Sequence, residues 1–184
     1  MKRQIVAFHL DPENDCVADM DCGHGQHVRH NPPFENRAWT TSEEGRKSKL
    51  GVMLNCVRCE ELELPQNLIP YKKTAVFDAD SVPTALTLSH STKAGVWAKI
   101  HVLEGGLSYS IAQPLGKTFV LDSAHAGIVI PEVAHSVQPV PLSVFTSSFT
   151  TKGRRSHACV LPSTGCLTFF QTLTSIVRIG LFVA

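Results

Sequence analysis

The sequence predicts a mainly β protein built in two parts, and three observations predict it. Residues 64–140 break into apolar runs of strand length, spaced about ten residues apart and bounded by Gly, Pro, Asp or Ser. No long amphipathic helical pattern interrupts these runs. That disfavours a parallel sheet with crossover helices, and with it the nucleotide-binding folds built on such a sheet. Residues 1–62 have a different texture, polar and dense in Cys and His.

Composition sets the bounds. A chain of 184 residues, 43% hydrophobic and 18% charged, has enough apolar material for one large domain or two small ones. The net charge of +1 lacks the basic surplus of a dedicated nucleic-acid binder. No run approaches the roughly 18 apolar residues of a membrane helix. The opening Met1-Lys2-Arg3-Gln4-Ile5 leads into a stretch broken by His9 and Asp11, so a signal peptide is not expected. A cytoplasmic setting is the expectation. There, six cysteines read as metal ligands or free thiols rather than disulfides.

Taken in order, residues 3–10 and 16–20 flank the turn cluster Asp11-Pro12-Glu13-Asn14-Asp15 and predict a hairpin. Pro32-Pro33 marks an irregular loop. Thr41-Ser42-Glu43-Glu44 fits a capping box with Thr41 as cap, predicting a helix to about residue 54 that Gly45 and Gly51 weaken. Pro65, Gln66, Asn67 and Pro70 form the expected linker. Strands are then predicted over residues 71–77, 95–103, 107–111, 118–122 and 127–130, with Gly105-Gly106 as a tight turn. Such a series suggests a sandwich or barrel. The expected divisions are 1–62, 68–140 and a tail at 141–184.

The densest chemical signal is Cys22-Gly23-His24-Gly25-Gln26-His27-Val28-Arg29-His30, answered by Cys56-Val57-Arg58-Cys59. A Cys-x-x-Cys pair lets two thiolates grip one ion from a single turn, and Cys22 and His24 at i, i+2 share one face of an extended strand. The spacing predicts a tetrahedral zinc site of three sulfurs and one nitrogen: Cys22, Cys56, Cys59 and a histidine. His24 ranks first as that histidine by parity, His27 second and His30 third. A redox role ranks lower because no thioredoxin-like βαβ surrounds the pair. Cys16 reads as a small buried hydrophobe. A module this small buries little surface, so the metal would supply folding free energy rather than chemistry. Arg29, His30, Arg37, Arg46, Lys47 and Lys49 gather near Trp39, but Glu35, Glu43 and Glu44 interleave with them, as on a solvated face.

The string from Cys22 to Pro33, together with Trp39, the helix near residues 42–50 and the Cys56/Cys59 pair, resembles a small bacterial Cys/His-rich family of unknown function over about residues 3–60. Further on, His90-x-Thr92-Lys93-x-Gly95-x-Trp97-x-x-Ile100-x-Val102-Leu103-x-Gly105 resembles the small cupin-like domain attached to TehB-type tellurite-resistance proteins, over about residues 68–140. This resemblance implies a double-stranded β-helix barrel, in which histidines on adjacent strands can converge on a metal. It also implies binding of a small molecule, metal or oxyanion in a stress or metalloid response. The chain departs from metal-binding cupins, which carry His-x-His followed by Glu. Two residues after His90 stands Thr92, and no acid follows before Glu104.

Candidate residues for a second metal or a ligand pocket are His90, His101 and His135. In a strand over residues 96–104, His101 shares the parity of Trp97, Lys99 and Leu103, while Ile100 and Val102 lie opposite. The apolar set has the better claim to the interior. His90 and His135 therefore read as the pair at the cavity mouth, and Trp97 as core. No Gly-rich loop follows a strand with an acid about twenty residues on, so methyl transfer has no visible support.

The tail differs in charge. All sixteen acids lie at or before Glu132, while residues 141–184 hold Lys152, Arg154, Arg155 and Arg178 against none. Translation out of frame after about residue 140 accounts for this. It predicts a barrel lacking its last strand, with a raw, poorly soluble edge and no role for Cys159 and Cys166.

Three functions follow in order. The first is a binding protein related to tellurite resistance, with a structural zinc module. The second is a metal-dependent cupin enzyme using His90, His101 and His135. The third is an interaction protein whose zinc module contacts nucleic acid or protein. The expected partners are a small-molecule or oxyanion ligand and a second copy in a homo-oligomer; neither a membrane nor nucleic acid is expected.

Overall fold

The computed structural model describes residues 1–152, and the fold is mainly β. Strands β1 (Lys2–Leu10) and β2 (Cys16–Met20) form the expected antiparallel hairpin, with His9 opposite Val17. Its turn is closed by the Asp11 carboxylate, which accepts from the Asp15 amide at 2.7 Å. Strands β3 (Gly25–His27) and β4 (Met53–Asn55) complete a four-stranded sheet in the order β3-β2-β1-β4.

Helix α1 spans only Glu43–Lys47, and the expected run to residue 54 is corrected. The cap is Ser42, whose Oγ accepts from the Gly45 amide at 3.0 Å. Thr41 instead donates its hydroxyl to the Ala38 carbonyl at 2.8 Å. Gly51, at φ 82°, then turns the chain into β4. Gly45 is there for space, because a Cβ at that position would stand 2.4 Å from the Trp39 carbonyl. A short helix α2 (Val57–Glu60) follows, with Cys56 at its N-cap.

The second part contains β5 (Leu68–Lys73), β6 (Phe77–Asp78), α3 (Thr84–Thr87), β7 (Val96–Glu104), β8 (Leu107–Ile111), β9 (Lys117–Leu121), β10 (Gly127–Val129), β11 (His135–Pro139) and β12 (Val144–Lys152). The run expected at 71–77 divides into β5 and β6, because Thr74 turns its hydroxyl to the Ala75 carbonyl. One sheet runs β10-β7-β12-β5 with β6 on β12, and a second runs β11-β8-β9.

The expectation of a missing last strand is corrected. β12 lies between β7 and β5, pairing with β7 from Val144 to Thr151. Phe145 and Thr146 are each 1% exposed, so the residues just past 140 supply a central strand. A charge census misses this, because a buried strand needs no acids. Cys159, Cys166, Arg154, Arg155 and Arg178 lie outside the described residues.

Residues on both sides of the linker share one core. Met20, Cys22, Cys56 and Cys59 belong to the same buried cluster as Trp97, Leu107, Tyr109, Ile130 and Phe145. Trp97 is fully buried and donates its indole N–H to the Cys22 carbonyl at 2.8 Å. Arg3 Nη2 donates to the Pro131 carbonyl at 2.9 Å. The described residues accordingly form one compact unit. Among the described residues no helix is long and apolar enough to cross a membrane.

The indole donor can be removed while an aromatic ring, though a smaller one, is kept. Trp97→Phe leaves the buried Cys22 carbonyl without its donor, which costs about 1–3 kcal/mol. The expected result is a lower urea midpoint at unchanged slope.

Candidate functional site

Two places concentrate chemistry, and the first is a buried centre of sulfur and nitrogen. The turn after β2 carries Cys22 and His24; it closes when the Met20 amide donates to the His24 carbonyl at 2.9 Å, with Gly23 at φ 93°. The second contribution comes from α2, whose single turn presents Cys56 and Cys59 together. The ligand atoms of Cys22, His24, Cys56 and Cys59 all lie within 4.8 Å of one another, and all four residues are buried. His24 Nδ1 stands 3.6 Å from Cys22 Sγ, 3.5 Å from Cys56 Sγ and 3.6 Å from Cys59 Sγ. The Cys22 and Cys56 sulfurs are 3.9 Å apart.

The donor set fits a metal ion. His24 Nε2 is buried without a hydrogen-bond partner, and its ring meets the Trp97 ring edge-on at 5.3 Å. With the proton on Nε2, a bare Nδ1 lone pair faces three sulfurs, an arrangement that calls for a shared cation. The thiols alone cannot all ionise. The hydrogen bond to Cys56, with burial, pushes the Cys22 thiol up to about 11. Contact with Cys22 and Cys56 pushes Cys59 up as well, while Cys56, accepting from both, is held well below the usual thiol range. A divalent ion would replace those protons and let all three bind as thiolates.

The other histidines ranked as ligands lie elsewhere. His27 is half-exposed and its Nε2 meets Asp11 Oδ2 at 2.7 Å; His30 Nδ1 accepts from the Arg37 amide at 3.0 Å. The Asp11 carboxyl is held below the usual range chiefly by that His27 bond. Several cations of this segment are paired: Arg29 with Asp15 at 2.9 Å, Arg37 with Glu35 at 3.6 Å and Lys47 with Glu43 at 2.7 Å.

The second place is a cavity of about 440 Å³ between the sheets of the second part. Even-numbered residues of β7 (Val96, Ala98 and Ile100) line one wall, with Val129, Val137, Phe145 and Phe149 around them. His90 and His135 also line it. Their backbones form an isolated antiparallel bridge, and their ring centroids are 4.2 Å apart. Each Nδ1 donates to a carbonyl two residues back, Leu88 for His90 and Val133 for His135, both at 3.0 Å. Each ring is thereby fixed in the tautomer whose Nε2 is an acceptor. Burial, reinforced by His90, lowers the His135 pKa against the opposing pull of the Val133 bond.

His101 is not part of this group. It sits on the other face of β7 with Nε2 3.0 Å from Ser148 Oγ, and burial followed by Lys99 and Lys73 lowers its pKa. The three-histidine site expected from His90, His101 and His135 therefore reduces to a pair. The sequence reading missed Phe145, Ser147 and Phe149 as lining residues, although their i, i+2, i+4 spacing was the available signal.

Residues 6–63 match the family described as "Protein of unknown function (DUF3565)", and residues 72–146 match the TehB-like domain. The chain joins a DUF3565 segment to a TehB-like domain. No curated protein matches it. A crystal structure of a protein from E. coli strain K12 is similar at 18% identity and a TM-score of 0.46, over 50% of this chain and 97% of its own. TehB from Haemophilus influenzae is similar at 28% identity and a TM-score of 0.44, over 47% of this chain and 32% of its own. This chain spans about a third of the length of that TehB.

Two outcomes are expected. Cys56→Ser should purify with far less bound metal than the parent protein, while His27→Ala should retain it in full, as measured by elemental analysis. For His135 the folded pKa lies below its ordinary value of 6.5. Its contribution is present above that value and is lost as pH falls toward the lowered folded pKa. Stability against urea should therefore decline less steeply below pH 6.5 in His135→Gln than in the parent.

Proposed function

We propose that the TehB-like part is a cupin-like double-stranded β-helix barrel that binds a small molecule or oxyanion in a tellurite-resistance setting, while the DUF3565 segment is held together by structural zinc. The observation that carries the binding role is the cavity of about 440 Å³ with His90 and His135 in its lining. Its size falls within the roughly 300–1,000 Å³ of small-molecule sites, and its mostly apolar wall with a few polar groups is their usual make-up. The tellurite setting rests on the TehB-like match.

Zinc is supported by dimensions. Bonds of about 2.3 Å to sulfur and about 2.0–2.1 Å to nitrogen, set tetrahedrally, require edges of about 3.8 Å between sulfurs and about 3.6 Å from sulfur to nitrogen. The Cys22–Cys56 separation of 3.9 Å and the three Nδ1–sulfur separations of 3.5–3.6 Å match those edges. Full burial of the four residues leaves no position for a substrate, so the ion's part is structural. The three-histidine enzyme reading loses one of its residues, since His101 stands outside the cavity. The free cysteines Cys16, Cys22, Cys56 and Cys59 suit a reducing cytoplasm.

The test is a thermal-shift comparison of the parent with Ala98→Trp, which fills the cavity, using small molecules and oxyanions including tellurite. A ligand at about a hundred times its Kd stabilises by about 2.7 kcal/mol. A rise in Tm seen for the parent and abolished in Ala98→Trp supports binding in the cavity; a rise of equal size in both variants overturns it. In parallel, a strong zinc chelator should lower the Tm of the parent sharply, and readded zinc should restore it.

A further inference from the structure

The chemistry of the cavity lining specifies more than its size does. We propose that the cavity takes an organic anion with an apolar body, its charged end at Lys72 and Lys93, and that it is not built for a bare oxyanion. This inference rests on the reading of the cavity as a ligand site.

Charge comes first. The lining contains Lys72 and Lys93 and no Asp or Glu, so any charge that a ligand meets there is positive. Both lysines are exposed, which places the cations at the mouth and not in the depths. Second, the interior is apolar: Ala98, Ile100, Val129 and Phe145 are all buried, and Phe149 joins them. A small, strongly hydrated anion pushed into such walls would give up water for nothing.

Third, four of the polar groups that remain, His90, His135, Thr74 and Thr92, have already spent their protons. Both imidazoles donate Nδ1–H to carbonyls and offer the cavity only an Nε2 acceptor. The Thr74 hydroxyl donates to the Ala75 carbonyl, and the Thr92 hydroxyl to the Val96 carbonyl. An oxyanion site is a convergence of free donors, and here the imidazoles and both threonine hydroxyls point theirs elsewhere, which leaves the scattered hydroxyls of Tyr71, Ser91 and Ser147 and the lysines at the mouth. An acceptor pair beside an apolar chamber instead suits a ligand whose body fills the chamber and whose hydroxyl or bound water meets Nε2. Only the charged end then needs the lysines. Held at the rim, they attract the anion without its having to be desolvated fully.

The experiment uses the full zinc-loaded chain and 1-naphthoate, with 1-naphthalenemethanol as the uncharged probe of the same body, and sodium tellurite and inorganic phosphate as bare oxyanions. Calorimetry is expected to show saturable binding of 1-naphthoate that excess tellurite or phosphate does not displace. Exposed charge pairs are modest, so the double variant Lys72→Met/Lys93→Met should weaken 1-naphthoate by about fivefold and leave 1-naphthalenemethanol unchanged. In methyl NMR spectra of the parent, Ile100 and Val129 signals should move with 1-naphthoate, a readout that does not depend on any variant folding. Tellurite displacing 1-naphthoate, or shifting those methyls when 1-naphthoate does not, overturns the organic-anion proposal and leaves the cavity reading standing. Binding of 1-naphthoate that moves neither methyl and persists in Ala98→Trp overturns the cavity reading itself. An absence of binding by both naphthalene probes also overturns the proposal.

Discussion

A buried hydrogen bond from the Trp97 indole to the Cys22 carbonyl ties the two halves of this protein together. The bond comes from the outer face of β7 and ends at the first residue of the sulfur–nitrogen centre, beside the edge-on contact of the Trp97 and His24 rings. Neither half could bury these groups alone. Without β7, the Cys22 turn would leave a carbonyl and three thiols open to water. Without the turn, a large indole would stand exposed on a strand. Each half removes the other's penalty, and that is why a boundary plain in sequence texture at residues 62–68 is no boundary in packing.

Arg3 reinforces the join at a second point. Its guanidinium reaches from β1 to the Pro131 carbonyl and stands 3.9 Å from Glu132, although its Nε is buried without a partner. The contact ties β1 to the segment after β10 at the cost of one unsatisfied buried nitrogen. The segment it grips runs directly into His135. The Glu132 amide donates to the Thr92 carbonyl, the Val133 carbonyl fixes the His135 ring, and His135 pairs with His90 across the bridge. The DUF3565 segment thus braces the loop that shapes the cavity while contributing no residue to its lining.

What could be read from the sequence was what local spacing determines. Cys56 and Cys59 share a turn whatever surrounds them, and Cys22 and His24 share a face once Gly23 sets the turn. Parity alone separated His101 from Ile100 on β7, because alternation holds along any strand. What could not be read needed a partner. Parity put His24 ahead of His27, but the partner that holds His27 elsewhere, Asp11 across the hairpin, was not legible. The α1 cap moved from Thr41 to Ser42 because the preceding turn claims the Thr41 hydroxyl. The tail misled for a different reason: charge density says nothing about strands buried on both faces, whereas the alternation of Phe145, Ser147 and Phe149 was visible throughout.

Strand alternation also explains how two unlike sites coexist on one element. Trp97 faces the sulfur–nitrogen centre, while Val96, Ala98 and Ile100 face the cavity. A strand keeps these faces apart at every residue, so the cavity-facing positions can vary in size without touching the indole that anchors the fold. The reverse does not hold. A shift of β7 by one residue would turn Trp97 into the cavity and expose Ile100 in its place. The centre therefore acts on the cavity through register: by holding Trp97 it helps to set which side chains of β7 face the cavity. A closed sulfur–nitrogen site can thus shape a cavity to whose lining it contributes no side chain.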